Sequence, residues 1–258
     1  MEPVYRTIIG VARTVFFVQG LKFDVIGDEH IPATGGAVVA INHTGYMDFT
    51  YAGLPARTPK RYIRFMAKKE VFDNSITGPI MRALRHIPVD RSAGAESYKA
   101  AVEYLRRGEL VGVYPEATIS RSFEIKEFKS GAVRMAIEAG VPIIPMTIWG
   151  AQRVWTKGFP KRLGRTNTPI SIAVGEPIAP PEHADDKTIA ELTETLRSTM
   201  QEMLEGLQKD YSHEPGAYWV PARLGGGAPT LEEANAMDAA EAKAKAEARA
   251  AKARQHDS

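Results

Sequence analysis

Short apolar segments alternate with helix-forming segments along most of this chain of 258 residues. Segments of strand length lie at 37–41, 62–66, 87–89, 110–114, 143–148 and 170–174. Helical patterns separate or follow them at 48–54, 70–84, 95–107, 129–139 and 185–209. Strands that alternate with helices are typical of a mixed sheet covered by helices. We therefore predict an α/β fold with a mixed sheet flanked by helices.

The composition excludes several classes of site and partner. The chain has no cysteine, which excludes a disulfide framework, a thiolate nucleophile and a cysteine-built zinc site. Its formal net charge of +2 is too small an excess to predict a nucleic-acid partner. No segment approaches the roughly 18 consecutive apolar residues of a membrane-spanning helix. Arg6 and Arg13 interrupt the first apolar run, so we predict no signal peptide.

The two ends of the chain differ from its middle. Apolar residues at 3–20 have near-helical spacing, which predicts an amphipathic helix lying either in a membrane interface or on the protein's own core. Glycine and proline at 213–229 indicate an irregular, packed extension. The sequence TLEE at 230–233 fits a capping box, and the charged, alanine-rich remainder is typical of a solvated helix or a disordered tail. We divide the chain into an N-terminal amphipathic helix at 1–21, a main domain at 22–212 and an extension with a charged tail at 213–258.

The strongest indication of chemistry is the segment NHTGYMD at 42–48. It directly follows a predicted strand, and strand ends are where open α/β sheets hold their sites. A turn between His43 and Asp48 can bring the carboxylate to one ring nitrogen. The carboxylate would fix the tautomer and leave the other nitrogen as a general base. Spacing alone leaves a catalytic pair and a structural His–Asp hydrogen bond both open.

This segment resembles the NHxxxxD motif of the glycerolipid acyltransferases, the lysophosphatidic acid acyltransferase group. Three later segments resemble the other blocks of that family in the same order: RHIPVDR at 85–91, VYPEATIS at 113–120 and VPIIP at 141–145. The segment FKSGA at 128–132 also agrees. The resemblance covers roughly residues 22–180 and implies a glycerol-3-phosphate acyltransferase-like fold.

The resemblance also implies a reaction. An acyl chain would pass directly from an acyl thioester to the free hydroxyl of 1-acylglycerol-3-phosphate and give phosphatidic acid. His43 would take the hydroxyl proton, and Asp48 would orient His43. The co-substrate would be acyl-CoA or acyl-carrier protein, and neither a cofactor nor a metal is implied. The sequence agrees with direct transfer, since it has no cysteine and no G-x-S-x-G elbow.

The second and third blocks would bind the lysophospholipid acceptor. Arg91 is the candidate for its phosphate because a guanidinium matches phosphate oxygens, with a surface ion pair as the alternative. Glu116 would accept hydrogen bonds from glycerol hydroxyls or orient Arg91. Ala117 and Thr118 would supply backbone N–H groups, although Thr118 could instead be a helix cap or turn residue.

Two departures from the family pattern bear on the acceptor. Ala117 replaces the usual glycine, so a turn that needs positive φ would be strained. Ile119 replaces an arginine that in the family helps to grip the phosphate, and Arg121 and Lys126 are candidates to substitute for it. The acceptor could therefore be another lysophospholipid or a glycolipid. A thioesterase and a non-catalytic membrane-binding scaffold are the remaining alternatives.

Two basic segments predict contact with an anionic membrane surface. The loop at 153–165 interleaves Trp155 and Phe159 with lysines and arginines, which suits anionic lipid or the phosphates of coenzyme A; a solvated loop is the alternative. A second basic group comprises Arg57, Lys60, Arg61, Arg64, Lys68 and Lys69. We expect a peripheral protein on the cytosolic face of the cytoplasmic membrane.

Overall fold

A seven-stranded mixed sheet forms the centre of the computed structural model, which describes residues 3–90 and 94–256. Its strands are β1 (Lys22–Ile26), β2 (Ala37–Ile41), β3 (Ile63–Lys68), β4 (Ile87–Val89), β5 (Leu110–Val113), β6 (Ile143–Trp149) and β7 (Pro169–Val174). They lie in the order β1-β7-β6-β2-β5-β3-β4. The strands from β2 to β6 are mutually parallel, whereas β7 pairs antiparallel with β6 and parallel with β1. The predicted mixed α/β sheet is confirmed.

Helices cover both faces of this sheet. They are α1 (Pro3–Val18), α2 (Asp48–Ala52), α3 (Lys69–Asp73), α4 (Thr77–Ala83), α5 (Gly94–Arg106), α6 (Gly131–Ala139), α7 (Asp186–Lys209) and α8 (Leu231–His256). Helices α5, α6 and α7 pack on one face, and α1 and α2 on the other. Within the described residues, none of the helices combines the length and apolar character needed to cross a bilayer.

The central strand β2 divides the apolar residues into two cores. Val38 and Ala40 face the helices α5 to α7, whereas Ala37, Val39 and Ile41 face α1 and α2. All five are fully buried. A strand covered on both faces reads as a continuous apolar run, which explains why this segment was recognisable from sequence.

Two elements differ from the sequence prediction. The strand β1 was not predicted, because its charged residues Lys22 and Asp24 are exposed at an edge of the sheet and break the apolar run. The single helix predicted at 70–84 is two helices, α3 and α4. Asn74 separates them, since its Oδ1 accepts the N–H groups of Ile76 and Thr77 at 2.9 and 3.1 Å and so starts a new helix.

The C-terminal extension packs on the main domain. Trp219, Val220 and Ala228 belong to the same core as α5, α6 and α7. The predicted capping box is confirmed, because Glu233 Oε2 accepts the N–H of Thr230 at 2.8 Å and Thr230 Oγ1 accepts that of Glu233 at 3.2 Å. Of the two structures expected for the charged tail, the helix is the one observed, as α8.

We expect Trp219→Ala to lower the free energy of unfolding by about 3–5 kcal/mol, because it removes a buried aromatic ring. Trp219 is only 3% exposed and lies under the guanidinium of Arg153, 4.3 Å from its ring centroid. Urea denaturation measures the change. Met237→Ala on α8, at a residue 46% exposed, is the control and should alter stability by less than about 0.5 kcal/mol. A loss below about 1 kcal/mol for Trp219→Ala would mean that the extension is not part of the cooperative core.

Candidate active site

Three neighbouring strands end at the same edge of the sheet and bring the predicted site together. Because β2 is parallel to both β5 and β6, the loops that follow these strands meet there. His43 follows β2, and Glu116 follows β5. The loop after β6 contacts the loop after β2, because Thr156 Oγ1 donates to the Thr44 carbonyl at 2.7 Å.

His43 and Asp48 form the hydrogen bond that their spacing allowed. His43 Nδ1 lies 2.9 Å from Asp48 Oδ2. The same oxygen accepts the backbone N–H groups of Thr44 and Gly45 at 2.8 and 2.9 Å. Asp48 is fully buried, whereas the side chain of His43 is 20% exposed. Three donors therefore stabilise the carboxylate, and the imidazole is held with Nε2 as its remaining nitrogen.

Contacts on either side fix the loop between these two residues. The side chain of Asn42 joins β2 to β6, because its Nδ2 donates to the Ile148 carbonyl and its Oδ1 accepts the Ile148 N–H at 3.1 and 2.7 Å. Gly45 lies so close to the next loop that a Cβ there would be about 3.0 Å from the Trp155 carbonyl oxygen. This close approach explains a glycine at that position.

Tyr114 is a site residue that sequence reasoning did not single out. Its ring stacks on the imidazole of His43, with centroids 4.1 Å apart and planes 22° from parallel. Burial and the charge of Asp48 raise the pKa of Tyr114, so its hydroxyl stays protonated. The only sequence signal was its position at the end of a predicted strand within the third block.

Glu116 lies behind His43 and binds the loops through their backbones. Its Oε1 accepts the N–H of His43 at 2.8 Å, and its Oε2 accepts that of Lys126 at 3.2 Å. Its role toward a glycerol hydroxyl stays a prediction, as does that of Arg91, which falls outside the described residues. Burial raises the pKa of Glu116 to about 8, although both backbone N–H groups and Lys126 act in the opposite direction.

The turn after Glu116 has the backbone geometry that the sequence suggested. Ala117 has a φ of 60°, the left-handed conformation that favours the glycine usual in the family. The N–H of Ala117 donates to the Tyr114 carbonyl at 3.0 Å, so the turn itself uses this group. Thr118 lies in a bend outside any helix, which favours the turn residue over the helix cap.

Ile119 and the two candidates to substitute for the missing arginine, Arg121 and Lys126, lie in different surroundings. Ile119 is buried, only 5% exposed. Arg121 and Lys126 both extend toward α8 and form ion pairs with its Asp238. Lys157 joins the same carboxylate at 2.8 Å. No sequence pattern singles out Asp238, which is one of many charged residues in the tail.

Comparison with known proteins identifies the family. A family model described as Acyltransferase matches residues 22–149. The 1-acyl-sn-glycerol-3-phosphate acyltransferase of Bacillus subtilis (strain 168) is 30% identical over 207 residues, which are 78% of this chain and 96% of that protein. The chain belongs to the acyltransferase family. A 1-acyl-sn-glycerol-3-phosphate acyltransferase of Limnanthes douglasii is also 30% identical over 201 residues, covering 75% of this chain and 66% of its own length.

The fold agrees with a solved structure. The crystal structure of the 1-acyl-sn-glycerophosphate (LPA) acyltransferase PlsC from Thermotoga maritima superposes with a TM-score of 0.65 over 81% of each chain, at 23% identity. The fold is therefore the one that the motif blocks implied. Membership of the acyltransferase family makes the protein an enzyme and sets the non-catalytic scaffold aside.

The raised pKa of Glu116 predicts a pH dependence of stability. An unfolded glutamate titrates near 4.5 and the folded Glu116 near 8, so the folded state holds the proton more tightly. The resulting stabilisation is full below about pH 4.5 and is lost as the pH rises through about 8. We expect the free energy of unfolding of the wild type to fall between pH 5 and 9 relative to that of Glu116→Gln, which cannot titrate. Urea denaturation across this range measures both, and parallel profiles would contradict the assignment.

Proposed function

We propose that this acyltransferase moves a fatty acyl chain from an acyl thioester to the free hydroxyl of 1-acylglycerol-3-phosphate, giving phosphatidic acid. Coenzyme A or acyl-carrier protein carries the thioester. The hydrogen bond between His43 Nδ1 and Asp48 Oδ2 is the observation that carries the proposal. The relatives from Bacillus subtilis and Limnanthes douglasii, which are named for this reaction, support the acceptor.

In the proposed mechanism His43 is the general base. Its Nδ1–H is donated to Asp48, so Nε2 holds the lone pair that takes the proton from the acceptor hydroxyl. The hydroxyl oxygen attacks the thioester carbonyl as it loses that proton. The tetrahedral intermediate then collapses, the C–S bond breaks, and the thiolate leaves with the proton that His43 returns. Acid and base are thus the same residue, as in other acyl transfers.

Asp48 supports this mechanism through its charge. An imidazolium on His43 lies next to a fully buried carboxylate, and the attraction between them is strong where water is excluded. The two backbone N–H bonds from Thr44 and Gly45 keep the carboxylate in place during the proton transfer. The stacked ring of Tyr114 limits the rotation of the imidazole about its Cβ–Cγ bond.

A different acceptor is the second candidate, and the surroundings of Ile119 favour it. A buried apolar side chain stands where the family has a phosphate-binding arginine, so this chain must recognise its acceptor with other groups. Another lysophospholipid or a glycolipid is the alternative. A panel of lysophosphatidic acid, neutral lysophospholipids and a glycolipid, compared by kcat/KM, separates the two candidates. Release of free fatty acid without any acceptor would instead support a thioesterase.

We also propose that the enzyme binds peripherally to the cytosolic face of the cytoplasmic membrane through α1 and the basic loop at 153–165. Tyr5 and Phe16 attach one face of α1 to the core, whereas Phe17 and Val18 are 81% and 62% exposed. The loop lies beside this end of the helix, because Gln19 Nε2 donates to the Leu163 carbonyl at 3.0 Å. Exposed lysine and arginine next to exposed apolar side chains suit an anionic lipid surface.

Some residues of the second basic group are buried or bonded within the protein, so this group supports membrane contact less than its sequence suggests. Arg64 is buried, only 2% exposed, and its Nε pairs with Glu109 at 3.2 Å, so it cannot contact lipid. Arg61 donates to the carbonyls of Pro32 and Gly35 at 2.8 and 2.9 Å. Arg57 and Lys60 are exposed and line a groove with Arg6 and Arg13 of α1.

We expect His43→Ala to lower acceptor-dependent CoA release from palmitoyl-CoA by about 10²–10⁴-fold, the contribution typical of a general base. His30→Ala is the matched control, because His30 also contacts a carboxylate, Glu176, at 3.0 Å but lies at the end of β7 away from the site. That variant should keep the wild-type rate. Full activity of a correctly folded His43→Ala enzyme would overturn the proposed mechanism.

Phe17→Ser should weaken partition onto vesicles containing phosphatidylglycerol by about 10- to 100-fold, because inserting most of a phenylalanine ring contributes about 1.5–3 kcal/mol. Vesicle co-sedimentation measures the change. Ile26→Ser removes another exposed apolar side chain, 53% exposed, at the far end of β1. Equal weakening by the two substitutions would show that α1 is not the membrane-binding element.

A further inference from the structure

Helix α8 contacts the rest of the protein with few apolar side chains. Ala234 is buried, but Met237 is 46% exposed, and the remainder of the described helix is mostly alanine and charged residues. Asp238 and Glu241 attach it to the main domain through ion pairs. A helix attached in this way is held largely by charge, which competing anions weaken.

These two acids contact a basic cluster formed by Arg121, Lys126 and Lys157. Lys157 Nζ lies 2.8 Å from Asp238 Oδ1 and 2.6 Å from Glu241 Oε2. Lys126 Nζ is 2.7 Å from Asp238 Oδ2, and Arg121 Nη2 is 2.8 Å from Glu241 Oε2. The three basic side chains are 11–17% exposed. Three cations thus converge on two carboxylates whose side chains are 14% and 28% exposed.

The basic cluster is attached to the loop of His43 by three separate links. Arg121 follows Ser120, whose N–H donates to the His43 carbonyl at 2.7 Å. The N–H of Lys126 donates to Glu116, which also accepts the N–H of His43. Lys157 follows Thr156, which donates to the Thr44 carbonyl. The segments that carry the cluster are therefore joined to the loop that holds His43.

The chemistry of the cluster matches a phosphate monoester. Such a group has between one and two negative charges near neutral pH and three oxygens that accept strong hydrogen bonds. Asp238 and Glu241 together present two negative charges to the same three cations. The hydrogen bonds from Lys157, Lys245 and Arg121 lower the pKa of Glu241 to about 2, so it is ionised at neutral pH. A bound phosphate and the two carboxylates cannot both satisfy the cluster.

We propose that Arg121, Lys126 and Lys157 form a phosphate-binding site that Asp238 and Glu241 of α8 occupy until a phosphate monoester displaces them. Helix α8 is then a competitive cover on the site. Lys157 is then a third binding residue, in addition to Arg121 and Lys126, which the sequence indicates. The identity of this phosphate as that of the lipid acceptor rests on the proposed function, whereas the displacement of α8 does not.

The first experiment measures hydrogen exchange in the full-length wild-type protein. Added inorganic phosphate should accelerate amide exchange in residues 231–248 by tenfold or more, while sodium chloride at equal ionic strength should have a much smaller effect. Protection in α7 should stay unchanged in both. If phosphate and chloride have equal effects on α8, the ion pairs are only screened and the proposal is wrong.

The second experiment measures phosphate binding by calorimetry. Removing both carboxylates with Asp238→Asn and Glu241→Gln should tighten binding of inorganic phosphate about tenfold or more, and adding Lys157→Ala should abolish the gain. Glu247→Gln, an exposed acid farther along the same helix, is the control and should bind as the wild type does. Unchanged affinity in the double variant would overturn the proposal.

Neither experiment uses acyl transfer, so both remain decisive if the proposed reaction is wrong. If the double variant is unstable, the wild-type exchange experiment still tests the displacement. Where the proposed reaction holds, the double variant should also lower the KM for lysophosphatidic acid and leave kcat unchanged. A lower KM for a neutral glycolipid as well would show that the cover acts by blocking access and not by imitating a phosphate.

Discussion

The parallel pairing of β2 with β5 and β6 is the constraint on which the candidate site depends. Parallel neighbours carry their carboxyl ends to one edge, so three loops far apart in sequence meet there. The pairing itself depends on complete burial of β2, which requires helices on both faces. The burial of β2 therefore accounts both for the helices on each face of the sheet and for the position of His43 at its edge. A site at this edge follows from the topology before any particular side chain is considered.

Within that edge, the buried charge of Asp48 organises the loop that contains the proposed base. An ionised carboxylate without water needs donors, and it receives an imidazole N–H and two backbone N–H groups from residues 43–45. The short segment from His43 to Asp48 therefore folds so that its own imidazole and backbone N–H groups donate to the Asp48 carboxylate. Burial, together with the charge of Asp48, raises the pKa of Tyr51 and Tyr114, so both phenols stay neutral beside it. Hydrogen bonds to one buried carboxylate thus set the conformation of this loop, and Asn42 joins it to β6.

The C-terminal extension has two parts with different physical character. Trp219 and Val220 bury apolar surface and belong to the core, whereas α8 contacts the basic cluster chiefly through ion pairs. Dissolved ions do not screen the burial of apolar surface, whereas they weaken contacts between charges. The extension is thus anchored firmly at one end while its helix remains open to exchange with an anionic ligand. This division is what a cover over a charged site requires.

The sequence by itself determined most of the strands and helices and the pairing of His43 with Asp48. Continuous apolar runs predicted the buried strands, and the spacing of His43 and Asp48 predicted their hydrogen bond, because these features depend on a few neighbouring residues. Ala117 in the place of glycine indicated that a turn needing positive φ would be strained there, and the residue has a φ of 60°. Tertiary structure alone decided that β1 pairs at an edge, that Ile119 is buried and that Tyr114 stacks on His43. It also decided which of 31 acidic residues meet Arg121, Lys126 and Lys157. Charges of one sign look alike along a chain, and only packing across 81 to 117 residues of separation selects Asp238 from among them.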